Sequence, residues 1–151
     1  MKLAPTLLAI ALFGAAGMAH AAANCTVSLK GDDAMKFDLK EATVSASCTT
    51  ITIELVHTGK LPAAAMGHNV VVTTTPDLAG VARDAIKAGA ANAYVPKDDA
   101  RVIAATPLIG GGEKTKVTVP GKKLTAGGDY SFFCSFPGHS TLMKGKLVVT
   151  K

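Results

Sequence analysis

The chain has 151 residues, 16 Lys and Arg against 11 Asp and Glu, a formal net charge of +5, and three cysteines. The basic residues are scattered, Lys122-Lys123 being the only adjacent basic pair, and no aromatics interleave with it. That excludes the basic stripe of a nucleic-acid binder and leaves the charge to solubility and weak steering toward acidic partners.

In chain order, the N-terminus comes first. Lys2 gives a basic start, Leu3 to Ala16 form an apolar run broken only by Pro5, Thr6 and Gly14, and Ala19-His20-Ala21 supplies small residues. This is the order of a secretory signal peptide, with cleavage expected after Ala21. The run is shorter than the roughly 20 apolar residues that span a bilayer, and no later stretch is long and apolar enough to do so. Residues 22–151 then form one domain of roughly 130 residues. Lys2 is the only charge lost with the leader, so the net charge falls from +5 to +4. Export implies an oxidising compartment, where a structural disulfide persists.

The remainder reads as short strands and turns. Cys25 to Lys30 alternates apolar and polar, and Gly31-Asp32-Asp33 reads as a turn. Thr43 to Ala46 and Ile51 to His57 are rich in β-branched residues, and His57 to Pro62 marks a loop. Asn69 to Thr75 is a further strand candidate. Pro76 to Ala90 differs: Leu78, Val81, Ala82, Ala85 and Ile86 fall at helical spacing, with Thr75 or Pro76 to open the helix and Gly89 to stop it. Lys114 to Val119 places Thr115, Val117 and Val119 on one face, and Asp129 to Ser135 and Gly145 to Thr150 close the series. Gly110-Gly111-Gly112, Pro120-Gly121 and Gly127-Gly128 break the chain between them. Many short strands with frequent turns predict an all-β sandwich or barrel with one helix packed outside.

An odd cysteine count leaves a thiol over. Three pairings are possible in principle. Cys25 and Cys48 lie beside strand-like segments early in the chain, whereas Cys134 sits among aromatics and His. This favours Cys25–Cys48 with Cys134 free, a closure worth about 3 kcal/mol in the chain-entropy account.

The chemistry concentrates in Cys134-Ser135-Phe136-Pro137-Gly138-His139-Ser140-Thr141-Leu142-Met143, three soft-metal ligands within ten residues. Pro137-Gly138 forces a turn that bends His139 and Met143 back toward the sulfur. His68, after Gly67, is a fourth candidate that a two-sheet fold brings to the same end. A thiolate, two imidazoles and a thioether suit copper cycling between Cu(I) and Cu(II). Zinc sites do not use Met, and hard cations want oxygen ligands. Taken singly, a buried Cys, a gap-filling Met or a loop His is ordinary packing; their conjunction around an unpaired thiol is not. Met35 and Met66 are expected as surface or core residues, and His57 as a buried structural residue.

At these residues the chain resembles the azurins. Phe132 to Ser140 and Met143-Lys144-Gly145 are similar to their copper loop, Met66-Gly67-His68-Asn69 to their upstream ligand segment, and Arg101 to Ala104 and Leu108 to Gly110 also match. The resemblance runs from about Cys25 to Lys151. It implies an eight-stranded Greek-key β-sandwich of the cupredoxin type with one external α-helix, and a monomer. It implies equatorial ligands His68, Cys134 and His139, a long contact from the Met143 sulfur, a weak one from the Gly67 carbonyl, and the disulfide Cys25–Cys48. Asn69 would tie the two ligand loops together, and the N–H groups of Asn69 and Phe136 would bond the Cys134 sulfur. Two positions depart from the pattern: Val70 stands where many azurins carry Trp, and Ala105 where some carry a surface His.

The function so implied is periplasmic one-electron transfer, not enzymatic turnover. His139 is expected near the surface as the electron port. Met35, Leu61, Ala65, Met66, Phe136, Pro137, Gly138 and Leu142 would form an apolar docking patch for brief encounters. The partners implied are redox proteins such as c-type cytochromes and copper or haem reductases, with no nucleic acid and no membrane. Two rivals remain: a copper-delivery protein without a redox partner, and a Cys-His hydrolase using Cys134 and His139, for which no orienting carboxylate is evident.

Overall fold

The fold follows from alternation. In β1 (Thr26–Gly31), β2 (Glu41–Ser45) and β3 (Thr50–His57), every second side chain is buried. Val27, Leu29, Ala42, Val44, Ile51, Ile53 and Leu55 therefore point to one interior. The computed structural model describes residues 23–151, so the expected leader, residues 1–21, lies outside the described residues. Among the described residues, no helix is long and apolar enough to cross a membrane.

The remaining strands are β4 (Val71–Thr74), β5 (Ala104–Ala105), β6 (Lys114–Pro120), β7 (Tyr130–Phe133) and β8 (Lys144–Thr150). They assemble as a three-stranded sheet, β1-β3-β6, and a five-stranded sheet, β2-β8-β7-β4-β5. The pairs β1/β3 and β2/β8 are parallel and the others antiparallel. Parallel neighbours cannot be joined by a hairpin. The chain therefore crosses between sheets, which gives the Greek-key sandwich that the resemblance implies. The core between the sheets takes Phe132, Leu147 and Val149 from one side and Leu29, Ile53 and Val119 from the other. Val70 is fully buried in this core, so an aliphatic residue fills the place of the absent Trp.

β4 and β7 break the alternation: Val71 to Thr73 and all four residues of β7 are buried. The cause is the helix α2 (Leu78–Ala88), whose Val81 packs on Val71 and Phe133 outside the sandwich, with Leu78 and Ala82 beside them. Fully burying a residue such as Val81 is worth about 1.5–3 kcal/mol. Asp77 occupies the cap position rather than Thr75 or Pro76, and Gly89 ends the helix at φ 69°. A one-turn helix α1 (Ala63–Met66) is a further element, too short to leave a periodic signal.

Cys25 and Cys48 form the disulfide, joining the chain just before β1 to the β2–β3 connection, and Cys134 is free and buried.

Candidate metal centre

Cys134 follows directly on β7, and its loop folds back on itself. The Cys134 N–H donates to the Met143 carbonyl at 2.9 Å, the Met143 N–H to the His139 carbonyl at 2.8 Å, and the His139 N–H to the Phe136 carbonyl at 3.0 Å. The reversal passes through Gly138 at φ 83°, a conformation that costs glycine little. The upstream loop is fixed by a two-way bridge between His68 and Ile109, with N–H to carbonyl distances of 3.0 and 2.9 Å.

These two loops bring together three side chains from distant parts of the sequence. The ligand atoms of His68, Cys134 and His139 lie within 4.8 Å of one another, and all three residues are buried. Cys134 Sγ is 3.5 Å from His139 Nδ1, 3.9 Å from His68 Nδ1 and 3.8 Å from the Gly67 carbonyl oxygen. Among the described residues, no Asp or Glu joins this group. The nearby acids are engaged elsewhere: Asp32 accepts from the Ala34 N–H, and Asp33 from the N–H groups of Lys60 and Leu61.

The His68 ring shows what this arrangement accommodates. Its Nε2 is 2.8 Å from the Asp32 carbonyl and its Nδ1 3.0 Å from the Gly67 carbonyl. A neutral imidazole has one N–H and cannot serve both acceptors. The shorter contact assigns the proton to Nε2, which leaves the Nδ1 lone pair facing a carbonyl oxygen and a sulfur. The Cys134 S–H can donate to the Gly67 carbonyl; once that proton is lost, a thiolate, an imidazole lone pair and a carbonyl oxygen face one point, a donor set that fits a metal ion.

Electrostatics agree. Burial pushes the Cys134 thiol up to about 11, against the N–H groups of Asn69 and Phe136, which pull it down. Burial also holds His139 down to about 4, helped by His68 and His57, and lowers His68 as well. Both rings are therefore neutral at pH 7 and free to bind a metal. The thiol gives up its proton only to a strong counter-charge.

The surrounding residues hold this geometry. Asn69 accepts from the Ser135 N–H at 2.9 Å and donates to Ser135 Oγ at 2.8 Å, so it joins the two ligand loops. His57 is fully buried and structural: it accepts from the Gly59 N–H at 3.0 Å, donates to the Met66 carbonyl at 2.8 Å, and stacks on His68 at 4.1 Å. Met143 is fully buried, and its methyl group lies against Gly31. Gly31 is a site residue that motif spacing does not reveal. A Cβ there would meet Met143 Cε at 2.7 Å and His68 Cδ2 at 2.8 Å. The Asp32 carbonyl is likewise invisible in a list of residue types.

The apolar positions around the site are open. Leu61 is 41 % and Leu142 54 % exposed. Ala65, Pro137 and Gly138 are exposed, and Met35, Met66 and Phe136 half-buried. His139 differs from expectation in depth: it is only 2 % exposed, with the Phe136 ring 4.7 Å from its own.

With this geometry in view, similarity to known proteins points the same way. The profile described as copper binding proteins, plastocyanin/azurin family, matches residues 23–150. The chain is 55 % identical over 125 residues to Azurin-1 of Alcaligenes xylosoxydans xylosoxydans, covering 83 % of this chain and 97 % of that one. It is 51 % identical over 138 residues to the azurin of Bordetella pertussis, covering 91 % of this chain and 92 % of that one. A solved structure of the azurin Az-iso2 from the obligate methylotroph Methylomonas sp. strain J superposes with a TM-score of 0.81 at 40 % identity, covering 85 % of this chain and all of that one. A His₂Cys donor set within this family makes the cofactor one copper ion of type 1. The chain belongs to the plastocyanin/azurin family of copper-binding proteins.

Proposed function

We propose that the chain is an electron carrier, exported to the periplasm with cleavage after Ala21, whose mature domain of residues 22–151 passes single electrons between redox proteins. His68, Cys134 and His139 hold the ion through Nδ1, Sγ and Nδ1, with the Met143 thioether and the Gly67 carbonyl as longer contacts. Copper supplies an ion that cycles between Cu(I) and Cu(II). The protein keeps the donors still: Asp32 fixes the His68 tautomer, Asn69 fixes the distance between the loops, and the N–H groups of Asn69 and Phe136 stabilise the thiolate. A site whose donors need little rearrangement between the two charge states favours fast outer-sphere exchange.

One observation carries this reading. The ligand atoms of the three side chains lie within 4.8 Å of one another, and all three residues are at most 2 % exposed. Such a site shields the ion from water and offers a substrate no room beside the sulfur. A nucleophilic cysteine would need a lowered thiol pKa, whereas this one is raised, which disfavours the hydrolase reading. The depth of the ligands equally disfavours delivery, which needs exposed, exchangeable ones. Electrons enter and leave through the thin cover above His139. The patch of Met35, Leu61, Ala65, Met66, Phe136, Pro137, Gly138 and Leu142 docks partners such as c-type cytochromes or copper and haem reductases to a monomer.

The test is the visible spectrum of purified protein on addition of Cu(II). A strong blue band that bleaches on reduction and is missing from Cys134→Ser supports the reading. A colourless complex, or a band that survives in Cys134→Ser, overturns it.

A further inference from the structure

The turn after α2 contributes no ligand, yet it touches both ligand-bearing loops. The Ala93 carbonyl accepts from Asn69 Nδ2 at 3.0 Å. The next residue, Tyr94, meets the Phe136 ring edge-on, with centroids 5.2 Å apart and planes at 71°. Asn69 follows His68, and Phe136 lies between Cys134 and His139, with its ring 4.7 Å from the His139 ring.

The backbone here is unusual. Ala93 and Tyr94 are successive non-glycine residues in the left-handed region, at φ 52° and 55°. A Cβ disfavours that conformation, and two in a row occur only where the surroundings enforce them. The enforcing contacts are visible. The Ala93 N–H donates to the Ala90 carbonyl at 2.9 Å, the Tyr94 N–H to the Gly89 carbonyl at 3.0 Å, and the Val95 N–H to the Asn92 carbonyl at 2.9 Å. Asn92 Nδ2 reaches back to the Ala88 carbonyl at 2.9 Å, at the end of α2. Val95 then packs on the cluster of Val71, Val81 and Phe133. The strained pair is thus anchored to the helix on one side and to the outer face of β4 and β7 on the other. Its two outward contacts go to the residues that frame the metal centre.

We propose that Ala93 and Tyr94 form a positioning clamp for the copper site. Ala93 holds the His68 loop through Asn69, and Tyr94 holds the Cys134–His139 loop through Phe136. The clamp sets the spacing of the donors without touching the ion. This rests on the ligand set proposed above, and one arm of the test does not depend on copper.

That test compares Tyr94→Leu, which removes the ring edge, with Tyr94→Phe, which keeps it. Tyr130→Phe serves as a control, losing a hydrogen bond from the Thr125 N–H to the phenol. In metal-free protein, hydrogen exchange reads the Ser135 N–H, which is bonded to Asn69. In copper-loaded protein, stopped-flow mixing with a chelator reads the release rate. Tyr94→Leu is expected to speed Ser135 exchange about tenfold and copper release about tenfold. Tyr94→Phe should restore both to wild type, and Tyr130→Phe should lower the unfolding midpoint while changing neither. Should Tyr94→Leu not fold, Asn92→Ala removes the bond that ties the turn to the Ala88 carbonyl and is expected to act in the same direction. The clamp is overturned if the folded variants of the turn leave both rates at wild-type values, or if Tyr130→Phe changes them as much. A wild-type protein that forms no blue complex would instead sink the ligand set, with the Ser135 arm still deciding the clamp.

Discussion

Gly31 is where one atom matters most. Its missing Cβ leaves room for the Met143 methyl and the His68 ring, both within 3 Å of where a Cβ would stand. Gly31→Ala must displace one of them. Overpacking of this kind costs about 1–3 kcal/mol, and here the displaced groups are proposed ligands. We expect Gly31→Ala to fold, to lose stability by that amount in urea titration, and to shift the blue absorption band. An unshifted band would show that Met143 and His68 tolerate movement. Asn69 is the second sensitive residue, since it satisfies Ser135 and the Ala93 carbonyl at once. Asn69→Ala leaves buried partners unpaired, at about 1–3 kcal/mol each. It should also weaken copper affinity about 10–100-fold, measured by competition with a chelator. The His68–Cys134–His139 group was legible because it is made of residue types, and the close spacing after Cys134 marks a single loop. Gly31, the Asp32 carbonyl and the left-handed Ala93-Tyr94 pair were not. Gly31 and the Asp32 carbonyl act through backbone position, and the Ala93-Tyr94 pair is placed by its left-handed backbone, none of which leaves a signature in side-chain chemistry.

At the scale of elements, α2 is tied down electrostatically as well as by its apolar face. Asp84 on α2 bonds Arg101 Nη2 at 2.8 Å, Arg101 also bonds Asp99 Oδ2 at 2.6 Å, and Lys87 bonds Asp84 at 2.9 Å. The Arg101 hydrogen bond, followed by that of Lys87, holds the Asp84 carboxyl down at about 2 from an ordinary 3.8. A depressed carboxyl stabilises the fold above its unfolded pKa and loses that contribution as pH falls through the folded one. The unfolding midpoint should therefore decline as pH drops from 3.8 toward 2, with a shallower decline in Asp84→Asn. Equal slopes in thermal scans would remove this tie from the account. The strands were legible from alternation and the helix from its spacing. β4 and β7 were harder to delimit, because α2 buries their outer faces and erases the period. α1 and the two-residue β5 are too short for any period to appear.

The whole molecule is a two-sheet frame with the metal centre held between loops at one end, and three bulk measurements follow. Loading copper at pH 7 should release one proton per ion, because the Cys134 thiol at about 11 is protonated while His139 at about 4 is neutral and His68 is lowered as well. A pH-stat titration giving no proton release would mean that the thiol is not a ligand. Copper should also raise the unfolding free energy, by about 4 kcal/mol at a thousandfold excess over the dissociation constant. Removing the frame's disulfide with a Cys25→Ser/Cys48→Ser pair should cost about 3 kcal/mol.

All of this depends on one sulfur. X-ray absorption at the copper edge of the loaded protein measures its bond directly. The account predicts one short copper–sulfur bond and two imidazole nitrogens, with the sulfur bond lost in Cys134→Ser. A shell of oxygen and nitrogen alone, or a sulfur bond that persists in that variant, would contradict it.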